Sequence, residues 1–201
     1  MSFNSDSVSN MRTYRIVCAI NVKPSHWVFA VISADGIQVA FLKWGLIPRW
    51  AKDPKLGNRM INIRPEMVGE RAIFRNALVS RCCLVPADGY YEWLIKDGKK
   101  NPLRIVLKSR EVFAFAGIWG TWPSPSGETI RSCATITTEP SSFIKLIHHR
   151  MGAMLPREAE SVWLDNEITD TDLLTSMLVP YPSQEMEAYE VSALVNSSKN
   201  N

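Results

Sequence analysis

In the run Tyr90-Tyr91-Glu92-Trp93 a single carboxylate is set among aromatic side chains. On an interior strand, desolvation raises the pKa of such a glutamate toward the range useful for general acid–base work. On an alternating strand the same residue simply faces solvent, and pattern alone leaves both readings open. His148 and His149 follow a short amphipathic stretch and precede Arg150; adjacent imidazoles rarely share one role, so at most one is an acid–base candidate. Asn62 and Arg64, two apart in Met60-Ile61-Asn62-Ile63-Arg64-Pro65-Glu66, fall on the same side of an extended segment. An amide beside a guanidinium suits a phosphate or a sugar oxygen. Trp44 and Trp50 bracket an irregular stretch that carries Arg49. Exposed rings interleaved with cations are what a single nucleic-acid strand needs, each stacked base contributing about 1–3 kcal/mol. Trp93, Trp119 and Trp163 read instead as core.

The four cysteines, Cys18, Cys82, Cys83 and Cys133, include no Cys-x-x-Cys pair. Cys82 and Cys83 point to opposite faces if they lie on a strand, so no metal site is expected. Nor does any other feature ask for a cofactor. Reduced thiols packed as small hydrophobes fit a cytoplasmic protein, and residues 1–7 lack the basic and apolar regions of a secretory signal.

Strand-like runs carry these candidates: Tyr14–Val22, Trp27–Ser33, Ile37–Lys43, Cys82–Pro86, Tyr90–Ile95, Leu103–Leu107, Val112–Ile118 and Ile130–Thr137. Ala34-Asp35-Gly36 predicts a hairpin between the second and third. Residues 44–54 read as a loop broken by Pro and Gly, and residues 67–78 as a short helix bearing Arg71 and Arg75. The last third turns helical at Ser141–Ile147, Glu158–Asp165 and Thr169–Leu178, with a final strand at Ala188–Ser192. The expected architecture is α+β, one domain over residues 13–201 with a curled, barrel-like, mostly antiparallel sheet and short peripheral helices. Residues 1–12 read as a disordered polar lead-in.

Composition narrows the partners. At 46 % hydrophobic and 21 % charged residues the chain is globular, and no apolar run approaches the ~18 residues of a membrane span. Residues 1–110 carry 18 basic and 8 acidic side chains, residues 111–201 carry 5 and 12. A basic half joined to an acidic one points to an anionic partner, unless folding mixes the charges.

Taken in series, Asn21-Val22-Lys23-Pro24, Trp44-Gly45-Leu46-Ile47-Pro48, Asn62-Ile63-Arg64-Pro65-Glu66, Phe74-Arg75, Pro86-Ala87-Asp88-Gly89-Tyr90-Tyr91-Glu92-Trp93, His148-His149-Arg150-Met151 and Val191-Ser192 through Val195-Asn196 resemble the SRAP family, the SOS-response-associated peptidases. The resemblance runs from about Tyr14 to the C-terminus. It implies a protein of the DNA-damage (SOS) response, a monomer without cofactor or metal, that binds single-stranded DNA and processes abasic sites in it. Asn62, Glu92 and His148 would be catalytic: Asn62 positioning the reacting groups, Glu92 and His148 moving protons. Arg64 and Arg75 would hold phosphates, and Asn21, Trp44 and Trp50 would shape the DNA groove.

In the family a cysteine at position 2, exposed by loss of the initiator Met, closes a thiazolidine with the abasic aldehyde as a DNA–protein cross-link. This sequence has Ser2 there and no Met-Cys-Gly-Arg start, and Cys18 cannot substitute because its nitrogen is an amide. A stable cross-link from position 2 is therefore not expected. The readings that remain are lyase or autopeptidase-like processing, a non-catalytic single-stranded DNA-binding module, and a decayed copy that folds without acting.

Overall fold

The computed structural model describes residues 21–34, 36–70 and 72–197. The expected lead-in at 1–12, Ser2, Cys18, Arg71 and positions 14–20 of the first expected strand lie outside the described residues; Asn21 and Val22 are not in a strand. In chain order the strands are β1 (Trp27–Ala34), β2 (Gly36–Trp44), β3 (Asn62–Ile63), β4 (Cys82–Ala87), β5 (Tyr90–Lys96), β6 (Lys99–Leu107), β7 (Phe113–Pro123), β8 (Thr129–Thr138), β9 (Met151–Gly152), β10 (Met154–Leu155) and β11 (Met186–Glu190). The helices are α1 (Pro65–Glu70), α2 (Ala72–Ser80), α3 (Arg157–Leu164) and α4 (Thr171–Ser176).

The hairpin forms as its turn signal predicts, β1 and β2 registering from Trp27 opposite Lys43 to Ala34 opposite Gly36. From there the sheet runs β7-β4-β1-β2-β8, and β8 pairs back onto β7, so five strands close a ring. All ring pairings are antiparallel except β2 with β8, where Lys43 and Trp44 run parallel to Ser132 and Cys133. Alternation decides what fills the ring. Ala30, Ile32, Ala40, Leu42, Cys83, Trp119 and Cys133, drawn from all five strands, meet in one buried cluster, which is the inside. Their neighbours Cys82, Leu84, Ile118, Ala134 and Ile136 point outward and are covered by Phe74 and Leu78 of α2, Trp163 of α3 and Leu174 of α4.

Cys82 and Cys83 thus do face opposite sides. Burial, then the neighbouring Cys133 and Cys82, push the Cys83 thiol up, and burial pushes Cys133 up to about 12, so these behave as packed hydrophobes.

A second sheet, ordered β11-β6-β5, packs Ile105, Leu107 and Met186 against Phe113, Ile144, Met151 and Met154. Two helix expectations change. The helix expected over 67–78 is two, α1 and α2. The one expected over Ser141–Ile147 is a single 3-10 turn at Ile144–Leu146, whose approach is tied down by Phe143 N–H on Ser183 Oγ at 3.1 Å and Ser141 N–H on Met151 Sδ at 3.3 Å. Trp93 also departs from expectation. It is half-buried, with its indole N–H donating to Asn196 Oδ1 at 2.7 Å. Among the described residues no helix is long and apolar enough to cross a membrane.

Candidate functional site

Glu92 lies mid-way along β5, opposite Leu103 of β6. Because side chains alternate, Tyr90 and Glu92 share the face turned to the body of the protein, while Tyr91 and Trp93 take the other. Glu92 is therefore neither solvated nor sealed, with 23 % of its side chain exposed. Burial raises its pKa above the ordinary carboxylate range, against the pull of the His148 ring and of the Trp93 backbone N–H.

His148 reaches it from the loop after the 3-10 turn, where the His148 N–H closes onto the Ile144 carbonyl at 2.8 Å. Its Nδ1 lies 3.9 Å from Glu92 Oε1, within range of a charge contact when the ring is protonated and too far for a hydrogen bond. The same Nδ1 is 2.9 Å from the Arg150 carbonyl oxygen and 3.2 Å from the Arg150 nitrogen. The Arg150 N–H donates into Nδ1 in one tautomer; in the other, Nδ1–H donates to the Arg150 carbonyl and leaves Nε2 as the acceptor of an incoming proton. His149 stacks at a tilt, 4.3 Å between ring centres.

Arg150 ties this loop to β8. Its guanidinium donates to Glu139 Oε1 at 2.9 Å and to the Thr137 carbonyl at 2.9 Å, and lies 3.6 Å from Glu66 of α1. Two residues earlier on β8, hence on the same face and about 6–7 Å away, Thr135 Oγ1 donates to Asn62 Oδ1 at 2.7 Å. Asn62 is thus held to β8 by Thr135, and the His148 loop to the same strand by Arg150 through Thr137. With its oxygen taken by Thr135, the exposed Asn62 amide presents its N–H donors outward.

Trp44 supports this arrangement from below. Half-buried at the end of β2, it donates its indole N–H to the Ile61 carbonyl at 3.0 Å, fixing the backbone just before Asn62. Trp50 is 70 % exposed, which suits stacking, and its neighbour Ala51 is anchored by the Trp122 indole N–H at 2.7 Å. Arg64 and Arg75 are exposed, Arg64 at the entry to α1 and Arg75 on α2. Asn21 donates to the Val195 carbonyl at 2.6 Å, on the C-terminal turn that also holds Asn196 against Trp93. Thr135, Thr137 and the linking role of Arg150 are missing from the sequence reading. Only the place of Arg150 beside the histidines could have flagged it, since the parallel β3–β8 pairing that brings the threonines in is non-local. Among the described residues no group of three His, Cys, Asp or Glu side chains could hold a metal ion.

Residues 3–198 match the model of the SOS response associated peptidase (SRAP) family. The chain is similar to Abasic site processing protein YoaM of Bacillus subtilis, 49% identical over 184 residues that cover 90% of this chain and 81% of that protein. It is 31% identical to Abasic site processing protein HMCES of Xenopus tropicalis over 187 residues, 81% of this chain and 55% of that longer one. A crystal structure of a Bacteroides thetaiotaomicron protein superposes with a TM-score of 0.79 at 30% identity, covering 88% of this chain and 79% of that one.

Proposed function

Since the chain belongs to the SRAP family, we propose that it processes abasic sites in DNA, engaging them in single-stranded DNA as part of the SOS response. It acts as a cytoplasmic monomer through one domain over residues 13–201. The observation that carries the chemistry is the half-buried Glu92 with His148 at 3.9 Å. An abasic deoxyribose opens to an aldehyde. When an amine attacks it, an N–C bond forms and the carbonyl becomes a hydroxyl; that hydroxyl leaves as water if it receives a proton. Glu92, holding its proton to higher pH than an ordinary carboxylate, is suited to give it, and the His148 ring beside it to take the proton that the nitrogen sheds. The Asn62 amide orients a sugar or phosphate oxygen, Arg64 and Arg75 hold phosphates, and Trp50 stacks on a base; Trp44 and Asn21 brace the groove. A second reading, binding without covalent chemistry, needs only the exposed Trp50, Arg64 and Arg75.

The test is an abasic single-stranded oligonucleotide followed on a denaturing gel with and without borohydride, beside fluorescence anisotropy. Wild type should bind, more weakly as salt rises, and give a borohydride-trapped species. Glu92→Gln and His148→Ala should bind equally but form it about 100-fold more slowly. Equal rates in the variants would remove the acid–base assignment. Binding with no trapped species selects the second reading, and no binding at low salt rejects both.

A further inference from the structure

Beneath the Glu92–His148 pair lies an aromatic floor into which the Tyr90 hydroxyl is set. The Tyr90 ring packs edge-on against Phe113 and Phe115, with centres 6.5 and 5.6 Å away. The cluster also holds Ile147 and Met151, which flank the turn from His148 to Arg150. A Cβ on Gly152 would strike the Phe115 ring, so the chain leaving that turn lies directly on the floor. The Tyr90 hydroxyl is buried and has no hydrogen-bond partner among the described residues. An unbonded buried hydroxyl costs roughly 1–3 kcal/mol, and an all-apolar floor would be met equally well by phenylalanine. Tyr90 and Glu92 project from the same face of β5, and after burial the Glu92 charge is what raises the Tyr90 ionisation above its ordinary range.

We propose that Tyr90 is a third polar member of this site, its hydroxyl donating to an oxygen that the Glu92 carboxylate also binds, a water in the free protein and a sugar oxygen in the complex. This rests on reading Glu92 as the proton carrier. Other groups face Glu92 as well: His148 from its loop, the Trp93 N–H on the same strand, and Glu190 of β11, exposed and two strands away in the same row beyond Leu103. Through the shared oxygen the Tyr90 hydroxyl favours the charged carboxylate and limits how far burial raises the Glu92 pKa.

A carboxyl carbon-13 NMR titration of Glu92 in the DNA-free protein tests this directly. In Tyr90→Phe, Glu92 should titrate about half a pH unit or more higher than in wild type, with little change in melting temperature. Tyr91→Phe, on the other face of β5, should leave it in place. A Glu92 titration that does not rise in Tyr90→Phe overturns the proposal, and a higher melting temperature alongside would show that an unbonded hydroxyl had merely been removed. Because no DNA is present, this failure leaves the abasic-site reading standing, and failure of that reading leaves this result intact.

Discussion

Glu92 couples its chemistry to folding. Its folded pKa lies above that of a free glutamate because burial disfavours the charge. A raised carboxylate contributes stability that is fully present below the unfolded pKa and is lost as pH rises through the folded one. Wild-type stability should therefore fall with rising pH from the ordinary glutamate range up to the raised value, and Glu92→Gln should remove that part of the slope. Above the window the variant should be at least as stable as wild type. Urea unfolding at a series of pH values measures it; a Glu92→Gln protein clearly less stable at neutral pH would mean that attraction to His148 outweighs burial. As candidates, Glu92 and His148 came from the family resemblance, since local pattern left Glu92 open between a buried and a solvent-facing place and gave His148 no role of its own. Thr135 and Thr137 were not legible, since a threonine on a strand carries no signal until its parallel neighbour is known.

At the scale of elements, the segment between β2 and β3 is held more firmly than its Pro- and Gly-rich composition implies. The Leu46 N–H donates to the Met60 carbonyl at 3.0 Å, closing its base, and Ile47, Ala51 and Trp122 form a small core of their own. At that base Gly45 and Gly57 meet backbone to backbone. A Cβ on Gly57 would lie 2.5 Å from the Gly45 oxygen and 2.9 Å from Ile47 Cγ1, and Gly45 itself has φ +128, closed to other residues. Gly57→Ala should cost roughly 1–3 kcal/mol and, by shifting Trp50, weaken single-stranded DNA binding. Thermal unfolding and anisotropy check the pair of effects; unchanged affinity in a destabilised variant would separate Trp50 from DNA. Strand positions were readable because alternation is local, as at β1 and β2. The short 3-10 turn at Ile144–Leu146 was not, because the apolar spacing of 141–147 reads as helix while the contact of Phe143 with Ser183, 40 residues on, leaves no trace in a local pattern.

For the molecule as a whole, the α+β, barrel-like fold was legible in the strand-rich run followed by helical signals, and the helices that cover the outer face of the ring come both mid-chain, in α2, and late, in α3 and α4. The charge halves do not stay apart: β7 and β8 from the acidic half sit in the same ring as β1, β2 and β4 from the basic one. The parallel contact of Lys43 and Trp44 with Ser132 and Cys133 has a further consequence, for the order of events during synthesis. The hairpin leaves the ribosome about 90 residues before the strand that must seal its flank, so a nascent chain waits with its barrel open, and non-local closure of this kind is slow. Chains ending at Pro123 should show no cooperative melting, whereas chains ending after Asn196 should melt in one transition. If the shorter chain also melts cooperatively, the first four ring strands are a folding unit in their own right, and the growing protein is protected long before its barrel can shut.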